Sequence, residues 1–391
     1  MSTVDLIVGP IHPALHEPER FVFKLEGEVV VDVEPRLGFV HRGIEKALSE
    51  RTFTQGIFLA ERICGICNVV HTLTACQAIE DAFGVEVPRR AKYLRTIVHE
   101  LNRIHSHLLI LGVACELMGF DTLFMLFWRD REIVMDVVEM LTGNRVMSAY
   151  NIIGGVRRGI SDYEASQTKK AMDSLYERVK RYKEVFMEDP TFRARSVEVG
   201  RLSRAKALAL GAVGPTARGC GVEVDVRSEE PYAAFDEMPY TTVVYREEDS
   251  WARLMVRIDE TLESIEIIKT ALDKMPSGPF RVPVPEAPSV SGEGFSVTEA
   301  PRGELLHHVY VKEGSDKPIR YRVRTPTYAN ILSVCEMLKG GYIADIPVSL
   351  VSIDPCFSCT DRVALVDVDK GRKVVVDLYT LSKKVCGVRR K

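Results

Sequence analysis

Two Cys-x-x-Cys pairs near opposite ends of the chain constrain its fold more than any other feature of the sequence. The first pair is Cys64/Cys67 and the second is Cys356/Cys359. Two cysteines three residues apart on a helical turn face the same way, so each pair can offer two sulfurs to one centre. The pattern predicts a buried thiolate metal site that forms only when the whole intervening chain folds around it.

Composition predicts a large soluble protein that can bury a substantial core. The chain has 391 residues and a formal net charge of −3, so we expect no nucleic-acid partner. The apolar runs over 108–120 and 123–128 are interrupted or too short for a spanning helix of about 20 residues. The first residues lack a secretion signal, and nine cysteines, an odd number, favour metal or redox use in a reduced compartment over disulfides.

Residue periodicity predicts a mainly α fold, with a large core of long helices and small peripheral β-sheets at the N-terminus and in the C-terminal third. Helices are predicted over 52–83, 88–117, 129–141, 161–188, 204–211, 250–274 and 328–339. Strands are predicted over 5–8, 21–25, 29–33, 305–311 and 319–324, with a hairpin over 363–377 that turns at Lys370-Gly371. The segment 276–294, rich in proline and glycine, is predicted to be a loop.

This pattern favours one functional domain over 1–391. Its first part, 1–50, is expected to be β-rich, and 51–275 to form the helical core. The last part, 276–391, is expected to be α+β and carries the second cysteine pair.

Four thiolates suit zinc, an iron–sulfur cluster or nickel, and structural zinc would be favoured from the count alone. The surroundings change that balance, because a zinc ribbon usually closes locally. Charged or ionisable residues also lie beside the pairs: Glu61, Arg62, His71, Asp354 and Asp361. A site that moves protons or holds anionic ligands needs such neighbours, and a structural zinc site does not.

The two cysteine motifs carry a family resemblance. Arg62-x-Cys64-Gly65-x-Cys67-x-x-x-His71 and Asp354-Pro355-Cys356-x-x-Cys359-x-x-Arg362 resemble the two signatures of NiFe hydrogenase large subunits. Segments 9–15, 38–45, 100–108, 211–219 and 299–304 also resemble this family, and specifically its energy-converting, membrane-bound branch. That branch is related to the quinone-site large subunit of complex I, which has lost the metal-binding cysteines; this sequence keeps all four.

The resemblance implies a nickel ion held by all four cysteines. Cys67 and Cys359 would also bridge to an iron that bears CO and cyanide, and Cys64 and Cys356 would be terminal nickel ligands. Sulfur donors suit nickel and low-spin iron.

The resemblance also implies roles for residues outside the motifs. Arg302 would lie over the open coordination position, and Pro326-Thr327 would donate hydrogen bonds to a cyanide. Glu45 matches a position that binds a structural divalent ion in related enzymes, so Mg²⁺ is a candidate there; an exposed helix glutamate is the alternative.

The implied chemistry is heterolysis of H₂ or its reverse. Cys356 would be the first proton acceptor, with Arg302 as the alternative. Glu17 matches the family's proton-relay glutamate, although it could belong to a solvated loop. His71 is expected to support the metal ligands from outside, and Glu61 and Asp354 are further candidates for the catalytic surroundings.

Electrons must leave through another subunit. The remaining cysteines are scattered singly and are expected to be buried apolar residues, so we expect no Fe–S cluster in this chain and require a small Fe–S partner. By resemblance, electrons would run to or from ferredoxin through partner subunits. Integral-membrane subunits would translocate ions, and this chain would be peripheral on the cytoplasmic side of the cell membrane.

Three other interpretations stay open. A relative could reduce sulfur compounds at the same metal site, a complex I-like subunit could couple quinone chemistry without metal, and a scaffold could hold structural zinc. The second motif ends in Arg362 where many hydrogenases have histidine, and 363–391 could be a maturation tail that is either cleaved or retained. His105 and His107 point to different helix faces, so packing contacts are expected for both.

Overall fold

The computed structural model describes residues 3–360, 365–367 and 372–374. The α-helices are α1 (Ile44–Leu48), α2 (Phe53–Glu61), α3 (Asn68–Phe83), α4 (Arg89–Leu117), α5 (Asp121–Thr142), α6 (Asp162–Glu188), α7 (Pro190–Ser196), α8 (Arg204–Ala209), α9 (Pro215–Arg218), α10 (Val226–Glu229), α11 (Ser250–Lys274), α12 (Pro326–Leu338) and α13 (Ile346–Ser352). The strands are β1 (Val4–Val8), β2 (Arg20–Glu26), β3 (Val29–Arg36), β4 (Asn151–Ile152), β5 (Gly155–Val156), β6 (Gly292–Ala300), β7 (Gly303–Val311), β8 (Arg320–Arg324), β9 (Leu365–Asp367) and β10 (Arg372–Val374).

Four long helices build the centre of the fold. Helix α4 packs against α5 and α11, and α6 packs against α5 and α11. Leu101, Leu111, Phe127 and Ile258 are among the side chains that are wholly buried between them. Burial of this apolar surface is the main stabilising contribution, and it leaves α4 enclosed along most of its length. The mainly α prediction is confirmed.

The sheets lie around this centre and are antiparallel. Strands β1, β2 and β3 pair in that order near the N-terminus, and β6, β7 and β8 pair in that order in the C-terminal third. Helix α3 lies against β6 and β7, which brings the first cysteine motif to this sheet. No helix among the described residues is long and apolar enough to cross a membrane.

Several elements differ from the sequence-based expectation. The helix predicted over 52–83 is broken at 62–67, because the buried loop residues Ile63, Cys64 and Cys67 continue the apolar spacing without being helical. Helix α5 begins at Asp121 rather than 129, and β6 begins inside the segment predicted to be a loop. Helices α4, α6 and α11 lie where they were predicted, and a Ser161/Glu164 capping box opens α6.

The C-terminal hairpin is found in part. Strands β9 and β10 pair antiparallel, with Leu365 opposite Val374. The turn at Lys370-Gly371, the motif residues Asp361 and Arg362, and most of the possible maturation tail lie outside the described residues. The division into 1–50, 51–275 and 276–391 stays a prediction.

Candidate metal centre

The sulfurs of the two cysteine pairs converge in the interior. Cys356 Sγ lies 3.3 Å from Cys64 Sγ, a residue 292 positions away, and 2.8 Å from Cys359 Sγ. The sulfurs of Cys67 and Cys359 and one ring nitrogen of His71 all lie within 4.8 Å of one another. All four cysteines are buried, and the two groups of potential ligands that they form share Cys359. A metal bound by all four stays a prediction.

Arg42 joins the two loops that carry these pairs. Its guanidinium donates hydrogen bonds to the carbonyl oxygens of Arg62 at 2.8 Å, Ile63 at 2.7 Å and Ser358 at 3.0 Å. The first two carbonyls follow the end of α2, where helical bonding stops and backbone oxygens need other donors. One side chain outside the cysteine motifs therefore positions both of them.

The start of α12 holds the second loop from the other side. Thr325 Oγ1 donates to the carbonyl oxygen of Cys359 at 2.8 Å, and Cys356 N donates to Thr327 Oγ1 at 3.0 Å. Pro326 occupies the first position of the helix between them. Because Thr327 accepts in this bond, its own hydroxyl proton remains available to another acceptor.

The four sulfurs cannot all be ionised without a cation. Hydrogen bonds from Cys356, Cys359 and Cys64 hold the pKa of Cys67 well below its ordinary value, and contacts with the same cluster hold the pKa of Cys359 well above it. The sulfurs therefore share protons among themselves. Complete deprotonation in this buried place requires a positive charge, which a bound metal supplies.

Arg302 is the fixed positive charge beside the cluster. Its guanidinium forms an ion pair with Asp354 at 2.7 Å, donates to the Asp354 carbonyl oxygen at 2.8 Å and donates to Ser106 Oγ at 3.2 Å. Burial disfavours the charge, but Asp354 and the neighbouring sulfurs hold the pKa of Arg302 well above its ordinary value. Arg302 and Cys356 both line a cavity of about 270 Å³, together with Glu17.

The loop that carries Arg302 packs backbone to backbone on a second glycine-containing loop. Gly214 has φ +64°, and a Cβ there would lie 2.3 Å from Gly303 Cα and 2.5 Å from the Arg302 carbonyl oxygen. Gly303 has φ +126°, and a Cβ there would meet Gly214 in turn. The two backbones can approach this closely only if both positions are glycine. Gly214 and Gly303 therefore help to fix the position of Arg302.

Buried charges lie behind the same loop. Arg218 pairs with Glu299 at 2.8 Å, with Glu260 at 2.6 Å and with Asp225 at 3.2 Å, and His107 Nε2 lies 2.9 Å from Glu260. Burial, with the charge of Asp225, raises the pKa of Glu299 to about 7 against the attraction of Arg218. The segments 211–219 and 299–304, which resembled the family as separate motifs, thus meet in one network.

Glu17 is connected to the cysteine cluster through a residue that the sequence reasoning missed. Ser358 Oγ donates to Glu17 Oε1 at 2.7 Å, and Ser358 N donates to Glu17 Oε2 at 2.8 Å. The same hydroxyl lies 3.2 Å from Cys356 Sγ. Since Ser358 donates to the carboxylate, its oxygen can accept a proton from the thiol. The only signal for Ser358 in the sequence was its position between two cysteines that are candidate ligands.

His71 has a sulfur on one side and a second histidine on the other. Its Nε2 lies 3.9 Å from Cys359 Sγ, and its Nδ1 lies 3.0 Å from Nε2 of His307. Nδ1 of His307 lies 2.9 Å from the hydroxyl of Tyr321. His307 and Tyr321 lie on β7 and β8, and no sequence motif indicated either of them.

Two predicted residues lie elsewhere among the described residues. The Glu61 carboxylate pairs with Arg62 at 2.8 Å and accepts from Ala149 N at 2.7 Å, beside a separate cavity of about 320 Å³. Glu45 pairs with Arg322 and accepts from Val323 N at 3.0 Å. Neither carboxylate belongs to a group of potential metal ligands in the described part of the chain. Their catalytic and Mg²⁺-binding roles stay predictions.

The remaining candidates have packing contacts. His105 Nδ1 accepts from Arg131 of α5 at 2.8 Å, while His107 contacts α11, so the two histidines do serve different helix faces. Four further cysteines are buried and lie in neither group of potential ligands within the described residues: Cys76, Cys115, Cys220 and Cys335.

Two family models match the chain. The model described as respiratory-chain NADH dehydrogenase, 49 Kd subunit, matches residues 118–290 and 284–362. The model described as nickel-dependent hydrogenase matches residues 42–112, which include Arg42 and the first cysteine pair.

Relatives at substantial identity match over nearly the full length. The chain is 41% identical to the membrane-bound hydrogenase subunit alpha of Pyrococcus furiosus, over 97% of this chain and 92% of that protein. It is 40% identical to the carbon monoxide-induced hydrogenase of Rhodospirillum rubrum, over 93% of this chain and 100% of that protein. A solved chain of the membrane-bound sulfane sulfur reductase, an archaeal respiratory membrane complex, matches with TM-score 0.87 and 33% identity, over 92% of this chain and 98% of that chain.

Proposed function

Because the chain belongs to the family of membrane-bound hydrogenase large subunits, which is related to the 49 Kd subunit of respiratory-chain NADH dehydrogenase, we propose that it is the catalytic subunit of an energy-converting NiFe hydrogenase. The observation that carries this proposal is the convergence of four buried cysteine sulfurs beside Arg302. A coupling subunit without metal has no need of four such sulfurs.

The donor set fits the proposed metals. Soft thiolates favour nickel, iron or zinc over hard ions such as Mg²⁺. Nickel would be held by the four cysteines Cys64, Cys67, Cys356 and Cys359. Two of them, Cys67 and Cys359, would also bind iron. Arg302, Pro326 and Thr327 stand as candidates to face the CO and cyanide ligands; the charge of Arg302 and the free hydroxyl proton of Thr327 suit anionic diatomic groups.

The bound metals would supply heterolytic cleavage of H₂, or its reverse. The chain's own residues then move the proton. Cys356 passes its thiol proton to the oxygen of Ser358 while the hydroxyl of Ser358 passes its own proton to Glu17, across 3.2 Å and 2.7 Å. Ser358 ends as a neutral hydroxyl, Cys356 as a thiolate and Glu17 as a carboxylic acid, so Glu17 must release its proton toward solvent and Cys356 must gain another before the next transfer. The same contacts work in the opposite direction.

Arg302 keeps a permanent positive charge next to the cysteine sulfurs, whose charge changes as protons are transferred. Its planar guanidinium is held at three points by Asp354 and Ser106, so it cannot turn toward the solvent. We infer that it stabilises the ionised sulfurs electrostatically. Asp354 acts through Arg302 and is a positioning residue.

Electrons would pass to a small Fe–S subunit, since the cysteines outside the cluster form no group of potential ligands in the described residues. The proposal extends to ferredoxin as the electron partner and to integral-membrane subunits that translocate ions. This chain would be peripheral on the cytoplasmic side of the membrane. Relatives named as membrane-bound hydrogenase and respiratory-complex subunits support a membrane assembly.

A second candidate function is the reduction of sulfur compounds. The similarity to the sulfane sulfur reductase chain at TM-score 0.87 favours it. The cavity that joins Arg302 to Cys356 could admit a small anionic sulfur chain as well as H₂. The two functions differ in their substrate but use the same sulfurs.

Metal analysis of the purified native complex, with infrared spectroscopy of metal-bound CO and cyanide, tests the proposal. We expect stoichiometric nickel, both sets of bands, and H₂ turnover that exceeds sulfide formation from polysulfide. Cys64→Ala should lose nickel, whereas Cys335→Ala, at a buried cysteine outside the cluster, should retain it. Zinc without the infrared bands would contradict the proposal, and the bands with sulfide formation alone would favour the second candidate.

A further inference from the structure

Three buried rings form a continuous hydrogen-bonded row that ends at the cysteine cluster. Tyr321, His307 and His71 follow one another at 2.9 Å and 3.0 Å, and His71 faces Cys359 Sγ at 3.9 Å. Their exposed fractions are 3%, 0% and 0%, so water does not interrupt the row. In each hydrogen bond of the row one partner must donate and the other accept. Because a neutral imidazole has one donor nitrogen and one acceptor nitrogen, the direction of one bond determines the direction of the next.

The hydroxyl of Tyr321 determines that arrangement. Burial raises the pKa of Tyr321, so the phenol keeps its proton. Nδ1 of His307 is the only hydrogen-bond partner that the described residues provide for this hydroxyl. Leaving a buried O–H without an acceptor is unfavourable, which favours donation from Tyr321 to Nδ1.

The rest of the row follows from this first donor. Burial lowers the pKa of His307 well below its ordinary value, so its ring carries a single proton. With Nδ1 accepting from Tyr321, that proton lies on Nε2 and is donated to Nδ1 of His71. His71 then carries its proton on Nε2, which points toward the sulfur.

We propose that Tyr321 and His307 are positioning residues that fix His71 as the tautomer whose Nε2–H donates a hydrogen bond to Cys359 Sγ. This inference rests on the proposed function for its consequence, because Cys359 is a proposed bridging ligand of the metal centre. A hydrogen bond to a thiolate withdraws electron density from it and so reduces what the sulfur donates to a metal.

The opposite arrangement of protons along the row would indicate a different role for His71. If His71 itself bound a metal through Nε2, its proton would have to lie on Nδ1 and be donated to His307. His307 would then donate to the oxygen of Tyr321, and the Tyr321 hydroxyl proton would have no partner among the described residues. The row therefore distinguishes a histidine that supports a sulfur ligand from a histidine that ligates zinc.

Three variants in the intact complex test the row. Tyr321→Phe removes the hydroxyl donor and little else, and His307→Leu removes the middle link. His307→Gln retains the polarity, because its amide nitrogen can donate to His71 while its amide oxygen accepts from Tyr321. Tyr310→Phe, on the same sheet with Tyr310 42% exposed, is the matched control.

The readouts are the infrared frequencies of the metal-bound CO and cyanide and the midpoint potential of the metal centre, at equal nickel content. We expect Tyr321→Phe and His307→Leu to move the bands to lower frequency and the potential to more negative values. His307→Gln and Tyr310→Phe should leave both unchanged.

The possible outcomes distinguish failure of this inference from failure of the proposed function. Wild-type bands and potentials in both Tyr321→Phe and His307→Leu would overturn this inference while leaving the proposed function intact. A wild-type complex with zinc, no bands and a histidine nitrogen bound to the metal would overturn both.

Discussion

The guanidinium of Arg42 donates a hydrogen bond to the carbonyl oxygen of Ser358 at 3.0 Å and so joins two segments that are 316 residues apart. Two further hydrogen bonds from this guanidinium go to the carbonyl oxygens of Arg62 and Ile63, which precede the first cysteine pair. These hydrogen bonds form within the protein and need no metal. The two cysteine loops are therefore held together by Arg42 as well as by any bound metal.

Replacement of Arg42 should loosen the centre. In Arg42→Lys a single ammonium replaces a planar fork and cannot reach three carbonyl oxygens at once. Because Arg42 is exposed, we expect a loss of only about 1 kcal/mol in unfolding free energy, but faster loss of nickel during dialysis against a chelator. Arg36→Lys, in an exposed pair with Glu34, is the control and should change neither quantity. Equal nickel retention in the two variants would contradict the role of Arg42.

Removal of the Ser358 hydroxyl should slow proton transfer without changing the metal centre. In Ser358→Ala the backbone bond to Glu17 can persist, but no oxygen remains between Cys356 and the carboxylate. We expect exchange between H₂ and D₂O to fall by about 10²-fold. Ser358→Thr keeps a hydroxyl and should recover most of the rate. Unchanged exchange in Ser358→Ala, at equal nickel content and infrared bands, would show that protons leave by another route.

Gly214 and Gly211 allow a matched test of the Arg302 loop. Both have a positive φ, +64° and +65°, so alanine is strained at either position; Gly214 combines it with ψ −149°, a conformation that only glycine adopts readily. A Cβ at Gly214 would collide with the backbone of Arg302 and Gly303, whereas nothing lies within 4 Å of a Cβ at Gly211. We expect Gly214→Ala to cost about 1–3 kcal/mol more than Gly211→Ala in thermal unfolding and to lower H₂ turnover selectively. Similar turnover in the two variants would argue against this packing as the element that positions Arg302.

Loss of the Arg218 charge should destabilise the core strongly. Arg218→Met leaves Glu260, Glu299 and Asp225 buried with less compensating charge, and we expect a loss of about 3–5 kcal/mol in unfolding free energy. Adding Glu260→Gln to this variant should recover part of the loss, since one uncompensated charge is removed. Arg181→Met, on the exposed face of α6, should be nearly neutral by the same measurement.

Glu19 should make stability depend on pH. Its side chain is buried, its Oε2 has no hydrogen-bond partner among the described residues, and burial raises its pKa from 4.5 to about 7. The folded state therefore binds more protons than the unfolded state between pH 4.5 and 7. Unfolding free energy should fall as pH rises through this window, by at most about 1.4 kcal/mol per pH unit. Glu19→Gln should lack this component in melting curves recorded across the same pH range; identical pH profiles would refute it.

Local sequence signals were enough to predict the long elements. Helices α4, α6 and α11 have clear starts or regular apolar spacing, and their ends were predicted to within a few residues. The same criterion failed at 62–67, because a loop wrapped around a buried centre is as apolar as a helix face. The spacing of apolar residues indicates which positions are buried. Residues of the helices and of the loop between them are both buried, so this spacing does not separate helix from loop.

Residue spacing alone gave site predictions only where the candidate residues are close in sequence. The cysteine motifs carry His71 and Asp354 with them, and the resemblance supplied Glu17, Arg302 and Thr327 as expectations. Arg42 was part of a matching segment without a stated role. His307 and Tyr321 could not be found, because a strand residue that points inward leaves no pattern beyond ordinary alternation. Their contact with His71 depends on how α3 lies across the sheet.

The distance along the chain between the two cysteine pairs has a consequence for biosynthesis. A ribosome delivers Arg42, Cys64 and Cys67 first, and Cys356 follows Cys64 only after 292 further residues. Until then the first pair is half of a candidate ligand set, open to oxidation or to an unwanted metal. A cell that makes this protein must keep those two thiols reduced and unoccupied until the second pair has been synthesised.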